Sequence, residues 1–260
     1  MTLVERLRSP VAEECVAAIA ELREQKRVGT EELAALADCL GHARKAVQRP
    51  AAEAFAVLGE RGVAVRDVLV AALASPTPGR RWSAAFALAR LHEPPQALLP
   101  VLVETLGVDD GDLRWAAATV LVGFQNHGEV IGVLRGLLQA GNAAQRKMAL
   151  YCLRDLDVRA PDLDEALVRL LDDEDRDVQL AAISSLARLA TDRAGAAARL
   201  MRALDARDPR LRRAAAAGLG TLGERSESVR AALDRATASP DASLARAAVG
   251  ALRQLGADRP

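Results

Sequence analysis

Small and large apolar side chains recur along this chain in a long, fixed period. Alanine stands at Ala18, Ala51, Ala84, Ala117, Ala149, Ala182, Ala215 and Ala248, at spacings of 33 residues with a single 32. Fifteen residues before each stands a leucine: Leu3, Leu36, Leu69, Leu102, Leu134, Leu167, Leu200 and Leu233. Four residues after each stands a large apolar residue: Leu22, Phe55, Leu88, Leu121, Leu153, Leu186, Leu219 and Leu252. Eight copies in register define a repeat array, and a period of this length predicts a solenoid.

Within each repeat the apolar positions follow the helical period. In the fourth, Leu102 and Leu106 lie one turn apart and predict a first helix. Ala117, Leu121 and Phe124 form the stripe of a second helix. Thr77, Asp110, Asn142, Asp175, Asp208 and Asp241 share one register just before the second helix. A short oxygen-bearing side chain there accepts hydrogen bonds from free backbone N–H groups, worth about 1 kcal/mol each. Gly59, Gly223 and Gly256 are expected to close second helices in the left-handed conformation. Pro50, inside the second helix of repeat two, predicts a kink or a late start. The recurring alanine lets neighbouring backbones approach, and a larger residue would overpack the contact by about 1–3 kcal/mol. No repeat buries its apolar face alone, so neighbours must stack. The unbroken register predicts one domain over residues 1–260.

Half of the residues are apolar but only six are aromatic, which suits closely packed helices. The 35 basic and 35 acidic side chains balance. A neutral chain has no global attraction to nucleic acid or to an anionic membrane, so neither is an expected partner. Cys15, Cys39 and Cys152 are odd in number and scattered, which fits reduced thiols in the cytoplasm. The opening MTLVERLRSP has charges where a signal peptide needs an apolar stretch. No apolar run approaches the ~20 residues of a membrane span.

Asp110, Leu113, Arg114, Ala116, Ala117, Leu121 and Phe124 are matched by Asp208, Leu211, Arg212, Ala214, Ala215, Leu219 and Leu222. This spacing resembles the second helix of HEAT-like repeats, including the short bacterial form found in phycobilin lyases. The resemblance extends over the whole chain. It implies an all-α, right-handed α-solenoid of about eight two-helix repeats, with the second helices on the concave side. It also implies a binding scaffold and not an enzyme.

Two positions beside the alanine stripe share a face of the second helix, because they are four residues apart. The first reads Val16, Arg49, Trp82, Trp115, Lys147, Leu180, Arg213, Arg246, and the second Ala20, Glu53, Phe86, Thr119, Tyr151, Ser184, Ala217, Gly250. Four of the six aromatics fall there: Trp82, Phe86, Trp115 and Tyr151. Large rings at non-core positions suggest anchors for a partner, and Arg49, Lys147, Arg213 and Arg246 would steer its acidic groups. The competing reading is that the rings pack between adjacent second helices. Arg81, Arg114, Arg146 and Arg212 form a further series, read as structural and pairing with capping acids such as Asp110 and Asp208.

Other motifs dissolve on inspection. Gly218-Leu-Gly-Thr-Leu-Gly223 spells a dinucleotide fingerprint, but Leu219 and Leu222 are core positions of a helix and no strand precedes it. Asp173, Asp175 and Asp177 resemble a calcium loop, yet Val178 and Ser184 stand where glycine and glutamate are needed. Three histidines offer too few ligands for a typical metal cluster, and His92-Glu93 is a single pair. No cofactor or metal is expected, and no catalytic constellation is present. The sequence therefore predicts a non-enzymatic scaffold for a protein or peptide with acidic groups, either a monomer or an end-to-end homodimer. Two alternatives stand beside it: a DNA-binding alkylation-repair glycosylase using Glu53 or Asp112, and a tetrapyrrole lyase or chaperone-like subunit.

Overall fold

The computed structural model of the chain describes residues 1–124 and 127–257. Those residues form sixteen α-helices and no strand. Residues 1–125 make one unit, with α1 (Leu3–Leu7), α2 (Ala12–Glu24), α3 (Thr30–Cys39), α4 (Lys45–Glu60), α5 (Arg66–Leu73), α6 (Pro78–Arg90), α7 (Pro95–Leu106) and α8 (Gly111–Val122). Residues 126–260 make a second, with α9 (His127–Ala140), α10 (Ala143–Asp155), α11 (Pro161–Leu170), α12 (Arg176–Leu189), α13 (Arg193–Ala203), α14 (Pro209–Leu222), α15 (Glu227–Thr237) and α16 (Ala242–Ala257). Each unit is a stack of helix pairs, so the chain is an all-α solenoid. In the first unit α2 packs on α4 and α4 on α6, and in the second α10 packs on α12, α12 on α14 and α14 on α16.

The repeating alanines are the centre of this packing. All eight are fully buried, as are the register leucines from Leu36 to Leu233. Only the terminal repeats relax, with Leu3 and Leu252 partly exposed. A one-carbon side chain at the crossing lets successive even-numbered helices interdigitate at close range. Gly220 carries the same logic further, because a Cβ there would meet the Ala251 Cα at 2.8 Å. The apparent dinucleotide motif is thus helix-packing chemistry, with Gly223 closing α14 at φ 71°.

Five of the six expected caps form. Asp110 accepts from the backbone N–H of Asp112 and Leu113, Asn142 from Gln145, Asp175 from Asp177 and Val178, Asp208 from Arg210, and Asp241 from Ser243 and Leu244. Thr77 corrects the pattern: its side chain makes no cap, whereas Asp208, also followed by proline, does, and threonine is the weaker cap former of the two. Gly59 and Gly256 also depart from expectation, since both lie inside helices. At Gly59 the reason is space, because a Cβ would meet the Leu91 methyls at 2.7 and 2.8 Å. Pro50 does not delay α4, which starts in the same register as its counterparts. Phe124 lies beyond the end of α8, which Gly123 caps, and so does not continue its stripe.

Candidate partner-binding surfaces on the second helices

In the first unit, α4, α6 and α8 together wall a cavity of about 170 Å³. The helical period sets who faces it. Arg49 and Glu53 project from α4, Trp82 and Phe86 from α6, and Asp112 and Ala116 from α8. The two rings sit with centroids 6.0 Å apart and tilted by 45°, a spacing at which aromatic edges and faces attract. Helices α6 and α8 touch little compared with α4 and α6, and the two rings lie on the α6 side of the cavity.

The expected anchors divide by exposure. Trp82 is buried, 8 % exposed, and forms cavity floor instead of a projecting anchor, with its ring beside that of Phe86. Phe86 is half-buried, while Trp115 is 49 % exposed on α8. Arg49 is exposed and has no ion pair among the described residues. Lys45, which the sequence reading passed over, reaches past α6 to pair with Asp110 at the start of α8. Its hydrogen bond, followed by that from the Leu113 N–H, holds the Asp110 carboxyl below the usual range. Nothing in the 33-residue period signals a contact 65 positions apart.

In the second unit the remaining candidates behave differently. Tyr151 on α10 is half-buried under the Arg154 guanidinium, which lies 4.9 Å from the ring centroid. Lys147 is committed to Asp177 at 2.9 Å and is not free to steer a partner. Arg213 is exposed with no ion pair among the described residues, and Arg246 donates to the Ser243 hydroxyl at 3.2 Å. Beside them Ser184, Ala187, Ala217 and Gly218 line a shallow trough floored by small side chains.

The second arginine series is structural, with a correction to its partners. Arg81, Arg114, Arg146 and Arg212 each donate to a carbonyl in the preceding loop, on Ser75, Val108, Gly141 and Ala206. Three of them then reach an acid of the next repeat: Arg81 to Glu104, Arg146 to Asp173 at 2.8 Å and Arg212 to Asp241 at 3.4 Å. The capping acids four residues upstream are instead occupied by their own helix N–H groups. Among the described residues no cluster of His, Cys, Asp or Glu could hold a metal ion. The cysteines are buried free thiols, and burial pushes Cys39 and Cys152 up to about 12, which keeps them protonated. No helix among the described residues is long and apolar enough to cross a membrane.

The profile of the family described as HEAT repeats matches residues 98–187 and 163–253, together more than half of the chain. The chain is a HEAT-repeat protein. A search of curated protein sequences finds no match. Among solved structures the HEAT-repeat chain is similar to the E. coli protein YibA, with a TM-score of 0.60 at 17 % identity over 98 % of this chain and 91 % of YibA. It is also similar to yeast importin-beta, Kap95p, in a structure describing its binding to RanGDP. There the TM-score is 0.67 at 12 % identity, and this chain spans only 40 % of Kap95p while 97 % of it is covered. The complex of CpcE and CpcF of phycocyanin lyase from Nostoc gives a TM-score of 0.52 at 19 % identity, covering 60 % of this chain and 99 % of the other. At these identities the likeness shows the fold alone.

Proposed function

We propose that this HEAT-repeat protein is a non-enzymatic scaffold that holds a segment of another protein against its second helices. The observation that carries the reading is the cavity of α4, α6 and α8, where an aromatic floor of Trp82 and Phe86 is rimmed by Arg49, Glu53 and Asp112. An apolar floor with charged edges suits one large side chain flanked by polar neighbours. Trp115, exposed on the same helix as Asp112, extends the apolar surface. Stacked helices hold such a surface ready, which lowers the ordering cost of binding. Kap95p, which binds RanGDP, supports protein partners for this fold in general. Arg49 and Arg213 favour acidic groups on the partner. A cytoplasmic setting belongs to the same reading, supported by three free, buried thiols.

A second reading, a DNA-repair glycosylase, draws on Glu53 and Asp112 lining the same cavity as Trp82. Residues 1–125 hold 14 basic and 16 acidic side chains, which offers no track for phosphates, so the scaffold reading is preferred. The lyase reading rests on the CpcE and CpcF likeness and gains no residue of its own.

The test uses peptides selected by display on the full chain, with affinities measured by fluorescence anisotropy. Ala116→Arg fills the cavity from α8 and is expected to weaken binding by roughly ten-fold or more, equivalent to about 1.4 kcal/mol. Trp115→Ala is expected to act in the same direction. Peptides that bind both variants as well as the parent would sink the groove assignment. A salt-dependent shift of duplex DNA would move the balance to the second reading.

A further inference from the structure

The seam between the sixth and seventh repeats lacks an ion-pair rung that three other seams of the array share, as does the seam after Gln48 in the second repeat. Across three seams an arginine of an even-numbered helix reaches an acid of the next repeat: Arg81 to Glu104, Arg146 to Asp173, Arg212 to Asp241. Between the sixth and seventh repeats that register holds Gln179. Its amide still donates to the loop carbonyl of Asp173, at 2.6 Å, but it makes no ion pair across the seam. Opposite, Arg202 stands at the register of Glu104, a position that is also arginine in the flanking repeats, at Arg169 and Arg235. One residue before the register leucine stands Arg199, where the other repeats carry Thr2, Ala35, Val68, Val101, Val133, Ala166 and Ala232. A guanidinium has replaced a small side chain at an inter-repeat contact.

Helices α11 and α13 barely touch, while α12 and α14 remain packed. Between the two pairs opens a crevice of about 550 Å³. Ile183 and Leu211 are buried at its floor, with Val168 and Leu171 half-buried beside them. Arg176, Arg199 and Arg202 stand around it, and Asp172 is the one carboxylate among its lining residues. Arg199 and Arg202 are exposed and have no ion pair among the described residues.

We propose that this seam is a binding site for a small organic anion: an aromatic or alkyl body bearing a carboxylate, sulfonate or phosphate. The guanidinium forks grip the anionic head through paired charge-assisted hydrogen bonds. The apolar body lies on Ile183 and Leu211. The volume falls in the range of roughly 300–1,000 Å³ usual for small-molecule sites. The ligand supplies a negative charge of the kind that three other seams draw from their own acids. The site is independent of the groove in the first unit.

The probe is 8-anilinonaphthalene-1-sulfonate, which has this chemistry and fluoresces when its rings leave water. Titration of the full chain is expected to reveal one saturable site. Arg199→Ala with Arg202→Ala is expected to weaken it by roughly ten-fold or more, because both forks are lost. Alanine is the residue at the Arg199 register in three other repeats, so the variant should keep its helical circular dichroism. Arg235→Ala, at the Arg202 register of the last repeat, should leave the titration unchanged. Phenyl phosphate should displace the probe at lower concentration than inorganic phosphate. No saturable site, or equal binding by the double variant, overturns the proposal. Equal displacement by the two phosphates overturns the role of the apolar floor.

Discussion

A leucine at Ala182 would have to force apart α12 and its neighbours, because the alanine is fully buried where they cross. Ala182→Leu is expected to lower stability by about 1–3 kcal/mol, read as a fall in the urea midpoint, while the same change at exposed Ala198 should do little. The capping aspartates act just as locally. Asp110→Ala removes a cap worth about 1 kcal/mol. The carboxyl of Asp110 is held below its ordinary 3.8 by Lys45 and the Leu113 N–H. Its contribution is therefore complete above that value and is lost as pH falls through the lower folded value. Asp110→Asn should flatten the pH dependence of stability below about pH 4, followed by circular dichroism in acid. Such residues were legible in the sequence because size and capping are properties of a position in its own helix. Gly59 was misread because its reason lies in Leu91 of the next repeat.

Between elements, the ion-pair rungs add local contacts across a seam without setting how closely the helices pack: α6 and α8 touch little despite the Arg81–Glu104 rung, while α12 and α14 pack well with none. Arg146 and Asp173 are largely buried, at 14 % and 7 % side-chain exposure. Asp173→Ala strips a charge-assisted pair and is expected to cost about 1.5–3 kcal/mol. The reverse experiment is to install the missing rung: Gln179→Arg with Arg202→Glu should raise stability by about 0.5–1 kcal/mol, seen as a higher denaturant midpoint. A fall in the midpoint would mean that the seam is open for reasons other than charge. The aromatic positions mark where sequence reading stops at this scale. Helical spacing placed Trp82, Phe86 and Trp115 at equivalent positions, but the cavity is lined by Trp82 and Phe86 of α6 and by Asp112, Leu113 and Ala116 of α8, without Trp115. It could not show that α6 and α8 touch little, nor that Trp82 is buried while Trp115 is exposed.

For the whole molecule, the period alone specified the all-α solenoid, since every repeat carries the same buried alanine and leucines. The repeat continues past residue 125 with one residue fewer, the single 32-residue spacing from Ala117 to Ala149, and from that continuation we propose a single cooperative array. One calorimetric transition is the expected result, and two would divide the chain into the units 1–125 and 126–260. The partner was not legible, because it is set by a few departures from the repeat and not by the repeat itself. The pair between Lys45 and Asp110 spans the helix that lies between them. Mechanically it is a strut across α6, and a guest that wedges α4 from α8 must stretch it. The first unit should therefore stiffen at low ionic strength and grow more compliant as salt screens the strut, making ionic strength a dial on how wide that groove can yawn.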